Sequence, residues 1–303
     1  MSTTGVVNLL KPPGMTSSDA VSELRRIFGQ KRVGHTGTLD PGAAGVLPIC
    51  IGRATRLFDY LVDKEKEYIA EVCFGACTDT QDSYGKETGR ADTAVTADEL
   101  AAVLSGFIGE QEQIAPMYSA LSIGGRKLYD LAREGAEPVE KRRKVYIRTL
   151  ELIGQTAPQS FLLRVECGRG TYVRTLCYDI GRALGAPAHL SFLLRSRSGN
   201  FDLEETYTLD ELRALKETGD LGQAMVPPDK AVGNLQEARL TLSNEDRRLF
   251  LNGAVIKPKG WEGLPKDAPL RAYVAGVFQG LARSDVDGIR MILFLGEENE
   301  TDG

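Results

Sequence analysis

Histidine and cysteine are too scarce and too scattered in this chain to build a metal centre. His35 and His189 are its two histidines, and Cys50, Cys73, Cys77, Cys167 and Cys177 form no paired framework. Cys73 and Cys77 have a ligand-like spacing, but no second pair completes a tetrahedral set, so buried thiols in a reducing cytosol are expected. No apolar run approaches the ~20 residues of a membrane span. The polar start MSTTG does not read as a secretory signal. The chain is therefore expected in the cytoplasm, with no membrane partner and no metal. A nucleotide-binding fingerprint is missing too, so no cofactor is expected. Internal repeats and low-complexity tracts are likewise missing.

What remains is the composition of an ordinary globular protein, 42% hydrophobic and 26% charged over 303 residues. That length suffices for one large and one small domain. The net charge of −5 argues against indiscriminate polyanion binding. The charge is unevenly spread, however. Between Gly124 and Leu150 eight basic residues, among them Arg142, Arg143 and Lys144, face four acidic ones. Arg25, Arg26, Lys31 and Arg32 form a second basic cluster, while Glu297, Glu298, Glu300 and Asp302 make the tail acidic. A charge run is usually a solvated face, but two basic clusters flanking one loop suggest phosphate binding.

That loop, residues 34–48, contains four glycines, two prolines, His35 and a single carboxylate, Asp40. Glycine and proline hold a backbone in turns and let a bulky partner approach it closely. An Asp before Pro often just bonds its own backbone, so the loop alone leaves chemistry and plain turn equally open.

Around it, Val6–Leu10 reads as a strand ending in the turn Lys11-Pro12-Pro13-Gly14, and Thr16, Ser17 and Ser18 offer helix caps before Ala20–Phe28. Val46–Ile51 and Tyr68–Phe74 read as strands, Ala54–Leu61 and Ala97–Leu104 as helices, and TDTQDSYG as a polar loop. Leu128–Arg133 reads as a short helix. Val145–Ile153 and Phe161–Cys167 make a strand pair turning at residues 155–159. Val173, Leu176, Cys177, Ile180 and Leu184 stripe one face of a helix over Thr171–Leu184. Without regular βαβ alternation the class is α+β, a mixed, mostly antiparallel sheet flanked by helices. Pro227, Pro228 and Gly233 suggest a linker. Arg239–Leu242, Ala254–Ile256, Leu270–Val277 and Ile289–Leu295 then suggest a small β-barrel-like unit.

Taken together, KPPGMTSSDAV, VGHTGTLDPGAAGVLPICIGRATR, KEYIAEVCFGACTDTQDSYG, MYSALSIGGRKLYDLAREG and GRGTYVRTLCYDIGRALGAPAHLSFLLRSRSGNF resemble the bacterial tRNA pseudouridine-55 synthases, the TruB family. The likeness runs in the family's order through nearly all of residues 5–201. It implies the pseudouridine synthase fold over residues 1–230, with a basic RNA-clamping insertion at about 124–148. LFLNGAVIK more weakly resembles the family's PUA domain, implying an RNA-binding unit over residues 235–297 before an acidic tail at 298–303.

The resemblance implies that Asp40 of GTLDP is the catalytic nucleophile or base. Tyr68 of K-x-Y would stack on the target uracil, and Arg174 of GTYVRTL would pair with the carboxylate. His35 would fill the space left by the flipped uridine, Leu193 would wall the pocket, and Lys11 and Pro12 would support the loop around Gly37 and Asp40. Arg142, Arg143 and Lys144 would belong to the segment that clamps the tRNA T-arm. Leu194 stands where the family often has Arg, Arg169 where it often has Lys, and Ala115 where it often has Pro. These departures bear on phosphate contacts and leave the three central residues untouched.

Isomerising uridine to pseudouridine needs no redox change and no group donor. A carboxylate can attack the sugar, attack the base, or remove a proton to start elimination. Either role needs the carboxylate form, which a guanidinium neighbour favours. The implied partner is tRNA, bound at its T-arm and, through the C-terminal unit, towards the acceptor end, by a monomer. Competing readings are an RNA chaperone, a guide-RNA-dependent relative and a DNA or small-molecule glycosyl enzyme. The basic insertion favours a stand-alone tRNA enzyme with no guide RNA.

Overall fold

Two nearly continuous apolar runs, GVVNLLK and AGVLPICI, form adjacent antiparallel strands, β1 (Gly5–Lys11) and β3 (Ala44–Ile51). Their side chains alternate between two buried faces. Val7, Leu9, Leu47, Ile49 and Ile51 enter one core, while Val6, Val46 and Cys50 enter another. Burial on both faces explains why neither run shows polar alternation. The computed structural model describes residues 3–62, 64–116, 118, 122–123, 126–127 and 140–296.

These strands begin a nine-stranded mixed sheet. Its members include β2 (Val33–His35), β4 (Lys66–Phe74), β7 (Gly109–Ile114), β10 (Arg142–Ala157), β11 (Ser160–Cys167), β12 (Ala188–Ser198) and β13 (Phe201–Asp202). The order is β1-β3-β12-β4-β11-β10-β7, with β2 on β3 and β13 on β12. Every pairing is antiparallel except β3 with β12, where Leu194 and Arg195 lie beside Ala44 and Gly45. That one parallel contact brings the glycine-rich loop against β12. Short hairpins, β5 (Ala76–Thr78) with β6 (Glu87–Arg90) and β8 (Ser122–Ile123) with β9 (Arg126–Lys127), lie outside it.

Helices cover the first core. α1 (Ser17–Phe28) starts at Thr16, whose side chain accepts from the Asp19 N–H while Asp19 reaches back, and it ends at Gly29 in the left-handed conformation (φ 63°). α2 (Phe58–Val62) continues a 3-10 segment over Gly52–Leu57, so the predicted helix there is wound more tightly at its start. α3 (Ala97–Leu104), α4 (Val173–Ala183) and α5 (Leu209–Thr218) bury Leu100, Leu104, Leu176, Ile180 and Leu212 against the sheet. The predicted helix over Leu128–Arg133 and the acidic tail fall outside the described residues.

The second core joins the sheet to the C-terminal unit. β14 (Glu237–Leu240), β15 (Pro269–Val274), β16 (Val277–Ser284) and β17 (Ile289–Phe294) form a separate four-stranded sheet in chain order. It is open. Among the described residues its edge strands β14 and β17 do not pair, so the barrel-like expectation gives way to a small sheet. Helix α7 (Asn244–Leu251) lays the fully buried Phe250 on its core. Ala254–Ile256, expected as a strand, contributes one isolated bridge from Ile256 to Ile289. The turn at Ala275-Gly276 splits the predicted run Leu270–Val277 and starts β16.

Leu281, Leu293 and Leu295 pack against Val46, Cys50, Leu57 and Leu61. Arg56 Nη1 donates to the Phe294 carbonyl at 2.7 Å, and Arg53 donates to that of Gly296. Pro228 opens a short helix, α6 (Pro228–Ala231), whose Ala231 enters the same cluster. The proline-rich connection is thus docked on the second core. Leu281→Ala removes a fully buried side chain at this junction and is expected to cost about 2–5 kcal/mol in urea unfolding. A loss below ~1 kcal/mol would contradict the tight packing described.

Candidate active site

The loop from Thr36 to Ala43 has little side-chain bulk of its own, so neighbours hold it. Lys11, fully buried at the end of β1, donates from Nζ to the carbonyls of Ala43 at 2.7 Å, Pro12 at 2.8 Å and Pro41 at 3.4 Å. The Gly14 N–H donates to Pro41 O at 2.8 Å, tying the Lys11–Gly14 turn to the loop. Ser17 in the first turn of α1 exchanges hydrogen bonds with the Leu39 backbone at 2.9 and 3.0 Å. From the other side Arg195 of β12 donates to Val46 O at 2.7 Å and Gly37 O at 3.2 Å. Gly45 (φ 112°) must be glycine here, because a Cβ would lie 2.2 Å from Arg195 O.

Asp40 projects from this braced loop, 38% exposed, towards the buried side chain of Arg174 near the start of α4. Arg174 Nε lies 2.8 Å from Asp40 Oδ2, and Nη2 donates to Oδ1 at 3.4 Å. The Nε contact is an ion pair without hydrogen-bond alignment. The rest of the guanidinium is anchored: Nη1 donates to Thr80 O at 2.9 Å and Nη2 to Tyr118 O at 3.0 Å. A second carboxylate, Asp82, sits 3.7 Å from Nη1 and is itself held by the Thr80 hydroxyl and the Tyr84 N–H.

The pair stands between two lobes of a cleft. One, of about 720 Å³, runs past Ser17, Asp82, Tyr84 and Phe192. The other, of about 380 Å³, is walled by Tyr68, Arg143, Arg195 and the turn Gly168–Thr171. His35, Thr38, Leu39, Asp40, Arg174 and Leu193 line both. β4 alternates strictly between buried and half-buried positions, and this turns Tyr68 inward with Ala70 and Val72. Burial raises the pKa of the Tyr68 hydroxyl, opposed by Arg195, so the ring stays a neutral phenol. Burial, with Arg195 second, lowers that of His35, whose Nδ1 accepts from the Gly37 N–H at 3.3 Å. A neutral imidazole therefore faces the cleft.

A carboxylate gripped by a fixed guanidinium, with a buried aromatic wall beside it, suits chemistry on a planar base drawn out of a stack. The comparisons bear on which chemistry. Residues 25–173 match the TruB family pseudouridylate synthase N-terminal domain, and residues 174–233 match the tRNA pseudouridylate synthase B C-terminal domain. A protein named tRNA pseudouridine synthase B from Symbiobacterium thermophilum is 47% identical over 252 residues, 82% of each chain. This chain belongs to the TruB family of pseudouridylate synthases.

Other members agree. The tRNA pseudouridine synthase B of Dehalococcoides mccartyi is 44% identical, covering 94% of this chain and 93% of its own. That of Bacillus subtilis is 43% identical, covering 84% and 83%. Among solved structures, a chain of a Cbf5-Nop10-Gar1 complex superimposes with a TM-score of 0.69 at 27% identity, covering 93% of this chain and 78% of that one. TruB membership makes this chain an isomerase.

Of the residues predicted from sequence, Asp40, Arg174, Tyr68, His35, Gly37, Leu193 and Arg143 line the cleft. Lys11 and Pro12 do not. They lie behind the loop and brace it. Strand geometry separates the basic trio of β10, since alternate residues point to opposite faces. Arg142 and Lys144 are exposed, with Arg142 paired to Glu112 at 2.9 Å and Glu140 at 3.4 Å, while Arg143 turns into the cleft. These three also pair with Ile114, Gln113 and Glu112 of β7, so the end of the expected insertion is part of the main sheet. Asp82 and Arg195 were not singled out from sequence, and Ser17 was read there only as a possible helix cap. Asp82 carried a faint signal, the density of Thr, Asp and Gly in its turn. Arg195 carried none, because strand arginines are ordinarily solvated.

Burial lowers the Lys11 pKa to about 8, opposed by Asp40 and reinforced by Arg195. A lysine depressed in the folded state binds fewer protons there than when unfolded. Stability therefore rises between pH ~8 and the unfolded value near 10.5. Wild type is expected to gain about 1–3 kcal/mol on Lys11→Met over that window, measured by denaturation at several pH values. A difference that stays flat with pH would refute the buried, depressed ammonium.

Proposed function

We propose that this enzyme isomerises uridine 55 in the T-loop of tRNA to pseudouridine, acting in the cytoplasm as a monomer with no guide RNA. The observation that carries the reading is Asp40, held by Arg174 on the wall common to both lobes, with Tyr68 beside it. The substrate is supported by the relatives named tRNA pseudouridine synthase B, 43–47% identical. The chain within an H/ACA RNP bound to a substrate RNA containing 2′-deoxyuridine is more distant, at 26%. That contrast favours a stand-alone enzyme.

The reaction breaks N1–C1′, turns the uracil within the cleft, and joins C5 to C1′. The C5 proton leaves and N1 gains one, so the balance closes without a co-reactant. Asp40 is the nucleophile or base, and three routes are open to it: attack on sugar, attack on base, and elimination. Arg174 keeps its carboxylate aimed. Drawing a base from a folded loop costs a few kcal/mol. Stacking on Tyr68 returns about 1–3 kcal/mol, and neutral His35 fills the space left behind without burying a charge. Leu193 walls the pocket, and Arg142 and Lys144 hold phosphates of the T-arm from outside. The unit over residues 235–297 extends the contact towards the acceptor end. Opening and re-forming the T-loop would also let the protein assist tRNA folding.

Purified protein with an unmodified T-arm stem-loop, mapped at single-nucleotide resolution, tests the assignment. Asp40→Asn is expected to keep tRNA binding and the folding assistance while losing more than ~1,000-fold in turnover. Wild-type modification at another uridine would overturn the position, and near-normal turnover by Asp40→Asn would overturn the mechanism.

A further inference from the structure

The two lobes differ sharply in charge. The described lining of the smaller one includes Lys66, Arg143, Arg169, Arg174 and Arg195, with Asp40 as its one carboxylate. The larger has Arg174 against Asp40 and Asp82. Most of the cations in the smaller lobe are engaged by protein. Arg174 holds Asp40, Arg195 holds the carbonyls of Val46 and Gly37, and the Lys66 ammonium donates to those of Val62 and Lys64.

Arg143 is different. Its Nε is buried without a hydrogen-bond partner, and no carboxylate pairs with it among the described residues. It is nonetheless held in place. Its guanidinium carbon lies 5.8 Å from the Tyr172 ring centroid, a cation–π contact. Its Nη2 rests against Gly170 (φ 86°), where a Cβ would come within 1.9 Å. So Gly170 is the residue that makes room for it. A preset, half-buried guanidinium without an anion among the described residues is costly in a free protein. It is a ready partner for an anion delivered by the substrate, and the fork of an arginine matches two oxygens of a phosphodiester.

We propose that Arg143 binds a backbone phosphodiester directly flanking the target uridine, inside the lobe that holds Tyr68. This rests on the RNA-modifying reading above and separates Arg143 from its neighbours Arg142 and Lys144, which meet the RNA from outside. A contact next to the reacting nucleotide sets where C1′ sits against Asp40. A contact on the outer face only adds affinity. Arg143 is thus a substrate contact that positions the sugar.

The test uses the full chain and T-arm stem-loops carrying a neutral methylphosphonate at the linkage 5′ or 3′ to the target uridine. Arg143→Gln is expected to lower kcat/KM roughly 10- to 100-fold and to reduce the salt slope of binding by about 1. One methylphosphonate should impair wild type by a similar factor and add nothing in Arg143→Gln. Arg143→Lys should retain the salt slope but lose part of kcat, since the charge stays and the fork goes. Thermal melts identify a folding defect, in which case Arg143→Lys and the methylphosphonate series on wild type decide. The contact is overturned if neither methylphosphonate impairs wild type, or if their effects and that of Arg143→Gln simply multiply. Wild type failing to modify the unsubstituted stem-loop would instead sink the functional reading itself.

Discussion

The ion pair between Asp40 and Arg174 is the contact on which the cleft depends. It joins a glycine-rich loop to the first turn of a helix 134 residues further on. A guanidinium buried this deeply needs its partners, and three carbonyl or carboxylate groups on separate segments supply them. Since Asp40 stays partly exposed, the pair presents a carboxylate to incoming substrate while its counter-ion remains fixed. Preorganised charge of this kind does not need to rearrange during reaction.

The loop itself is held from behind. Lys11, Ser17 and Arg195 each reach backbone carbonyls or amides of the loop, so its shape is imposed by neighbouring elements more than by its own side chains. Buried cations are an expensive way to hold a backbone. They tolerate this position because each finds several carbonyl oxygens and because Asp40 lies close by. Arg195, with Lys66, Arg143, Arg169 and Arg174, gives the smaller lobe its positive character, while among the described residues the larger sets Arg174 alone against Asp40 and Asp82. A substrate that is a polyanion is thereby offered one favourable side.

Much of the fold was readable as pattern. The stripe along α4, the alternation of β4, the capping residues at Thr16 and the double-faced runs of β1 and β3 each carry their period in local sequence. The C-terminal unit was read less well. Its second long strand is separated from the first by only a two-residue turn, and a four-stranded sheet covered by a helix has the same local spacing as strands of a barrel. The proline-rich connection left no local sign of its contacts, because they are made by β1 and β15, both distant along the chain: Val226 bridges to Val6, and Asp229 bonds Arg271 and Tyr273.

At the site, local chemistry marked Asp40, since a lone carboxylate among glycines and prolines stands out, and the family likeness then pointed to Tyr68 and Arg174. Sequence thus determined which groups are available, along with the periodicities that turn each one in or out. Only the tertiary structure decided which of them meet. The parallel contact of β3 with β12 buries Arg195 behind the loop, and the pleat of β10 sends Arg143 inward while its two neighbours face solvent. The reason is physical: an ion pair or a cleft is a relation between distant segments, and its energy depends on distances that no local pattern encodes.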